Sequence, residues 1–169
     1  MNRIFLGNCI ALIGAVLMAG IGFIRQRKHI LVVQCIQFGI MGIANLVLGG
    51  INGFASALIS IIRNLIGLKW ELTTPIKAGI ISIQVVLALS ISHSGIIDVL
   101  PGLSACIYTW FLDIKDEIKL KLVIIIAQIC WVVYDISILN YVSFIFDIIT
   151  IFANIVGIIS IGKQRKADQ

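Results

Sequence analysis

The chain has 169 residues, 60% hydrophobic and 12% charged, with a formal net charge of +5 and a mean hydropathy of +1.10. So few polar groups cannot cover a water-soluble globule of this length. The composition therefore excludes a soluble enzyme or binding domain and makes a lipid bilayer the partner of most of the surface.

About 20 apolar residues carry a helix across the hydrocarbon layer. Seven stretches approach that length: 4–24, 30–49, 53–68, 77–92, 95–112, 120–138 and 142–162. Barrel strands would alternate apolar and polar residues over about ten positions, and these runs do not, so the fold class is an all-α membrane protein. The first stretch follows Arg3 and is followed directly by Arg25-Gln26-Arg27-Lys28 with no small-residue cleavage pattern, which favours a retained helix over a signal peptide.

Eleven of the thirteen basic residues lie in alternate connections: Arg25, Arg27 and Lys28; Lys69 and Lys77; Lys115, Lys119 and Lys121; Lys163, Arg165 and Lys166. The connections at 49–52, 92–95 and 139–140 hold none. The positive-inside rule then puts the N-terminus outside and the C-terminus in the cytoplasm of a bacterial inner membrane. The basic balance records topology, and no nucleic-acid partner is expected. Cys9, Cys35, Cys106 and Cys130 fall within predicted helices without disulfide or zinc spacing, and His29 and His93 fall in loops. No metal site and no cofactor are expected.

A shift of 90 residues sets 43–67 over 133–157 without a gap. Phe54, Ile59, Ile61, Asn64 and Gly67 meet identical residues, Ser60 meets Thr150, Asn45 meets Asp135, and further upstream Asn8 meets Asp98. Polar matches in so apolar a chain point to an internal repeat. The first three helices (residues 1–70) and the last three (94–169) then correspond, joined by a linker helix within 71–93. Equivalent helices are separated by an even number of crossings and run in the same direction. Parallel-repeat transporters are built on this 3+1+3 plan, with a site near mid-membrane between the halves.

Polar residues recur at three- and four-residue spacing on single helix faces. The third predicted helix carries Ser56, Ser60, Arg63, Asn64 and Gly67; the seventh carries Ser143, Asp147, Thr150, Asn154 and Gly157. The second presents Gln34, Gln37, Met41 and Asn45, and the sixth presents Gln128, Trp131 and Asp135 beside Tyr134. Small and amide residues also glue membrane helices together. The repeat nevertheless sets Asn64 and Asn154 facing each other across the axis, where paired donors and acceptors suit an uncharged polar solute. Arg63 either lines the cavity or snorkels toward the interface. Asp98, Asp135 and Asp147 lie toward the outer helix ends as candidate coupling sites, and Pro101 is a candidate gate hinge.

The stretches 48–68, 99–110 and 130–158, with Gly53, Ser56-Ala57, Arg63 to Leu65, Leu100-Pro101 and Cys130-Trp131, resemble the YgjV family of bacterial inner-membrane proteins. More remotely, the 3+1+3 layout with paired asparagines resembles the SWEET sugar facilitators and the PnuC vitamin transporters. That resemblance implies that Asn64, Asn154 and Trp131 hold a solute, with Met41 standing where the repeat would put a second tryptophan.

The function expected is a facilitator of a small polar metabolite, a nucleoside, vitamin or sugar, by alternating access. Trp131 or Tyr134 would stack on its ring, with Asn64, Asn154, Asn45, Asp135, Arg63 and Gln128 around it. The alternatives are proton coupling through the aspartates and a non-transporting partner or assembly subunit, and association into a homo-oligomer stays open. No Ser/His pair, HExxH motif or phosphate loop is present, so no enzyme and no nucleotide-driven pump is expected.

Overall fold

A computed structural model describes residues 2–21, 26–92, 95–112, 114 and 116–167. Among these there are seven α-helices and no strand. They are α1 (Arg3–Ile21), α2 (Arg27–Leu48), α3 (Ile51–Lys69), α4 (Thr74–Ile91), α5 (Ile96–Phe111), α6 (Glu117–Ser137) and α7 (Tyr141–Ala167). Six have the length and apolar composition to cross a membrane, and α5 is a shorter apolar helix interrupted by Pro101. Arg25, His93 and Lys115 lie outside the described residues.

Residues with strong local signals start and stop these helices. Asn2 Oδ1 accepts the Ile4 N–H at 3.0 Å, and Asp116 Oδ1 accepts the Lys119 N–H at 2.9 Å. Each bond satisfies one of the amides that a helix start leaves without an intrahelical partner. Pro75 stands in the first turn of α4, where its missing N–H removes nothing.

Two turns repeat each other in detail. After α2, the Gly49 N–H bonds the Leu46 carbonyl, the Gly50 N–H the Asn45 carbonyl, and the Phe54 N–H the Gly50 carbonyl. After α6, Leu139, Asn140 and Phe144 make the same three bonds to Ile136, Asp135 and Asn140. Both turns pivot on a left-handed residue, Gly49 at φ 92° and Leu139 at φ 62°. This is the Schellman arrangement, which returns orphan carbonyls to a partner. Every residue of one turn lies 90 positions from its equivalent in the other.

The packing inverts that of a soluble protein. Bulky side chains face outward, among them Phe5, Val16, Leu89, Ile149, Phe152 and Val156, whereas the buried apolar residues are mostly alanines. Small residues let helix backbones approach closely where lipid provides no hydrophobic drive. Polar side chains are instead turned inward, including Gln37, Asn45, Ser60, Gln84, Thr109 and Asp135.

The helices form a ring in which α1, α2, α3, α5, α6 and α7 touch in that order and α7 returns to α1. Helix α4 rests against α3 and α5, tied to α3 by a 2.9 Å bond from Gln84 Nε2 to Ser56 Oγ. Among the described residues α1 does not pack on α3, nor α5 on α7. Along this ring α1, α2 and α3 make one arc and α5, α6 and α7 the other, with polar side chains of α2, α3, α6 and α7 turned toward a gap at the centre.

Candidate binding cavity

The gap is a cavity of about 240 Å³ with residues of α1, α2, α3, α5, α6 and α7 in its wall. Its polar groups come from both arcs. Asn45, Ser60 and Arg63 approach from one side, Gln128, Asp135 and Thr150 from the other. Met41, Phe38 and Trp131 supply apolar surface. A cavity of this size exceeds the roughly 30 Å³ share of one water several-fold and fits a small molecule better than a lone ion.

The wall follows the repeat. Nine residues before position 70 line the cavity, and eight have their counterpart 90 positions on lining it too. Met18 pairs with Tyr108, Met41 with Trp131, Asn45 with Asp135, Ala57 with Asp147, and Ser60 with Thr150; Gln34, Gln37 and Phe38 likewise pair with Ile124, Ala127 and Gln128. The ninth is Arg63, whose counterpart Ala153 is absent from the wall.

At one end of the cavity an amide joins the arcs. Asn140 Nδ2 donates to Asn45 Oδ1 at 3.1 Å and lies 3.5 Å from Asp135 Oδ1. Its own Oδ1 accepts the Ser143 N–H at 3.3 Å and so caps α7. Asn45 and Asp135, related by the repeat, thus meet through the residue that starts α7. Gln128 Nε2 donates to Asp147 Oδ1 at 3.1 Å, and the Asp135 and Asp147 carboxyl groups lie close enough to interact electrostatically. Asp147 Oδ2 is buried without a hydrogen-bond partner among the described residues.

Toward the other end lies Arg63, only 2% exposed. Its Nε and Nη2 donate to Asn64 Oδ1 at 3.2 and 3.1 Å, and its Nη1 reaches Thr109 Oγ1 at 3.4 Å. The guanidinium carbon sits 5.1 Å from the centre of the Tyr108 ring and 5.8 Å from that of Phe38. Arg63 is enclosed by protein and lines both spaces of the interior. Beyond it opens a second space of about 720 Å³, walled by Leu31, Asn64, Glu71, Lys77 and Leu112. Gln34, Arg63 and Tyr108 belong to both spaces and form the partition between them.

The other candidate residues lie elsewhere. Asn64 is buried beside this partition, its Nδ2 donating to Gln34 Oε1 at 3.1 Å. Asn154 donates to the Thr150 carbonyl of its own helix at 2.8 Å and lines neither space. Helices α3 and α7 do not pack on each other among the described residues, so the two asparagines are not brought together. Tyr134 lies outside the cavity wall: its hydroxyl accepts the Gly53 N–H at 2.9 Å and its ring stands at 80° to that of Trp131 at 5.8 Å. Its ring edge meets Trp131 behind the cavity wall. Pro101 is buried within α5, and Gly102 beside it abuts Ala88 and Gln84 of α4. Asp98 sits in the first turn of α5, where a negative charge complements the helix dipole. Lys77, grouped with the loop charges in sequence, is in α4, buried, with its Nζ 3.4 Å from the Trp110 carbonyl.

Tyr108, Phe38, Ser104 and Thr109 were not singled out by sequence reasoning, nor was the linking role of Asn140. On α5, Ser104, Ala105 and Tyr108 have the three- and four-residue spacing of a wall-facing stripe, a pattern that was there to be found.

A sequence profile described as Imp-YgjV, bacterial inner membrane protein, matches residues 5–165. The chain belongs to the YgjV family. It is a multi-pass bacterial inner-membrane protein, with six membrane-length apolar helices in agreement. No curated protein and no solved structure matches it. In this YgjV-family protein, site chemistry therefore has to be argued from the cavity.

Proposed function

We propose that this YgjV-family protein is a carrier that moves a small polar metabolite across the inner membrane by alternating access between its two three-helix arcs. The cavity carries this reading: it lies between the arcs, walled at repeat-related positions and bearing polar groups from both. A membrane protein that merely glued its helices together would fill such a space with side chains. The 3+1+3 arrangement, an outside N-terminus and a cytoplasmic C-terminus complete the proposal, on the strength of the 90-residue repeat and the loop charges. The likeness to SWEET and PnuC rests on that layout.

Uptake by purified protein in liposomes, presented with a mixed metabolite extract and read by mass spectrometry of the lumen, tests it. Trp131→Ala is expected to lower uptake of the transported solute at least tenfold, since its ring lines the cavity. Asn154→Ala should leave uptake near wild type. A wild-type protein that loads no solute above empty liposomes would overturn the carrier reading.

The closeness of Asp135 and Asp147 favours proton coupling as a second reading. Two buried carboxyl groups this close cannot both ionise without mutual repulsion, and such a pair in a membrane interior suits proton relay.

A further inference from the structure

Arg63 carries a positive charge with no described carboxylate in ion-pair contact; Glu71 shares the second space with it but makes no ion pair to it. The polar partners of Arg63 are Asn64 and Thr109. The two carboxylates of the cavity wall are engaged elsewhere, Asp147 by Gln128 and Asp135 by Asn140. The Tyr108 and Phe38 rings attract the guanidinium but leave its charge in place.

The donor balance around Arg63 is uneven. Both lone pairs of Asn64 Oδ1 are taken by Arg63, and Thr109 Oγ1 already donates to the Ala105 carbonyl at 2.7 Å. Three of the five N–H groups of an arginine are thus engaged. The Gln34 amide N–H groups and the Tyr108 hydroxyl make no hydrogen bond among the described residues. The partition therefore presents an excess of donors around one cation, both to the cavity and to the second space. It is also the place where the wall departs from the repeat, with Ala153 at the equivalent position. An uncharged sugar or nucleoside would leave this cation unmatched.

We propose that the solute carries one anionic oxygen group, of the monocarboxylate class, held by the Arg63 guanidinium with Gln34 and Tyr108, its apolar body lying against Phe38, Met41 and Trp131. The planar fork of arginine matches a carboxylate's two oxygens, and a carboxylate has the lone pairs to satisfy the surplus donors. One cation matches one negative charge, which favours a carboxylate over a doubly charged phosphate. This inference rests on the cavity being a transport site, and it replaces the uncharged solute expected from sequence.

Binding to detergent-purified wild-type protein tests it, read by thermal shift and titration calorimetry. The probes are aliphatic and aromatic monocarboxylates, each paired with its own carboxamide, together with phenyl phosphate. At least one carboxylate should bind tenfold or more tightly than its carboxamide, and more tightly than phenyl phosphate. Arg63→Gln should abolish the preference, and Arg63→Lys should keep it at reduced affinity. The wild-type comparison stands if either variant fails to fold. Carboxamides binding as well as carboxylates, phosphate binding best, or no carboxylate binding at all overturns the proposal. Liposome uptake separates the two claims: a carboxylate that binds at Arg63 without being transported leaves the anion site standing and removes the carrier, whereas uptake of neutral solutes alone does the reverse.

Discussion

The Tyr134 hydroxyl and the Gly53 backbone amide, 81 residues apart in sequence, meet at 2.9 Å. Gly53 lies in the first turn of α3, where an amide has no intrahelical acceptor, so a side chain from the opposite arc completes this helix. The approach depends on glycine. A Cβ at Gly53 would stand 2.7 Å from Asn45 Nδ2 and 2.8 Å from Tyr134 Cε1.

Tyr134→Phe should therefore lower stability by about 1–3 kcal/mol, the cost of leaving a buried donor without a partner, while its ring still meets Trp131. Gly53→Val should cost a similar ~1–3 kcal/mol through overpacking. Thermal unfolding of the detergent-purified variants measures both. A Tyr134→Phe protein as stable as wild type would show that the bond contributes nothing.

Gly49→Ala probes the first repeated turn. With φ at 92° and open space around it, the new methyl meets backbone strain and no steric neighbour. The expected loss is about 1–2 kcal/mol. Leu139→Gly at the equivalent turn should be far milder, because it removes a left-handed non-glycine residue. The two melting temperatures, compared in one detergent, give the order directly.

Asn140→Ala removes a helix cap and the donor that links Asn45 to Asp135. Losing a cap costs about 1 kcal/mol, and stranding buried acceptors adds about 1–3 kcal/mol. The melting temperature should fall further than for Tyr134→Phe. Equal stability to wild type would mean that the arcs do not depend on this amide.

Asp147→Asn separates coupling from carriage. If the pair with Asp135 relays a proton, an imposed pH gradient should drive accumulation in wild-type liposomes and fail to do so in the variant, with solute exchange at equal pH continuing. Accumulation that follows the gradient equally in both proteins would remove the pair from the mechanism.

Much of the site's frame was legible along the chain. Asn45, Asp135, Ser60, Thr150, Met41 and Trp131 belong to repeated polar or aromatic positions, and all line the cavity. The 90-residue shift that aligns them also aligns the two Schellman turns. Helix faces are local, since a 3.6-residue period assigns each residue to a side whatever packs against it. What each side chain does on its face is not local. Asn64 and Asn154 look alike in sequence, yet one grips Arg63 and Gln34 while the other bonds its own helix.

The sequence by itself determined an all-helical inner-membrane chain with seven helices close to their observed bounds, because the bilayer demands long apolar runs whose backbone bonds are satisfied internally. Only tertiary structure decided that the helix groups are arcs around a cavity, that Tyr134 caps α3 and that Arg63 stands at a partition without an ion pair to any described carboxylate. Those facts depend on which faces meet across the gap, and distances between helices far apart in the chain are written in no periodicity.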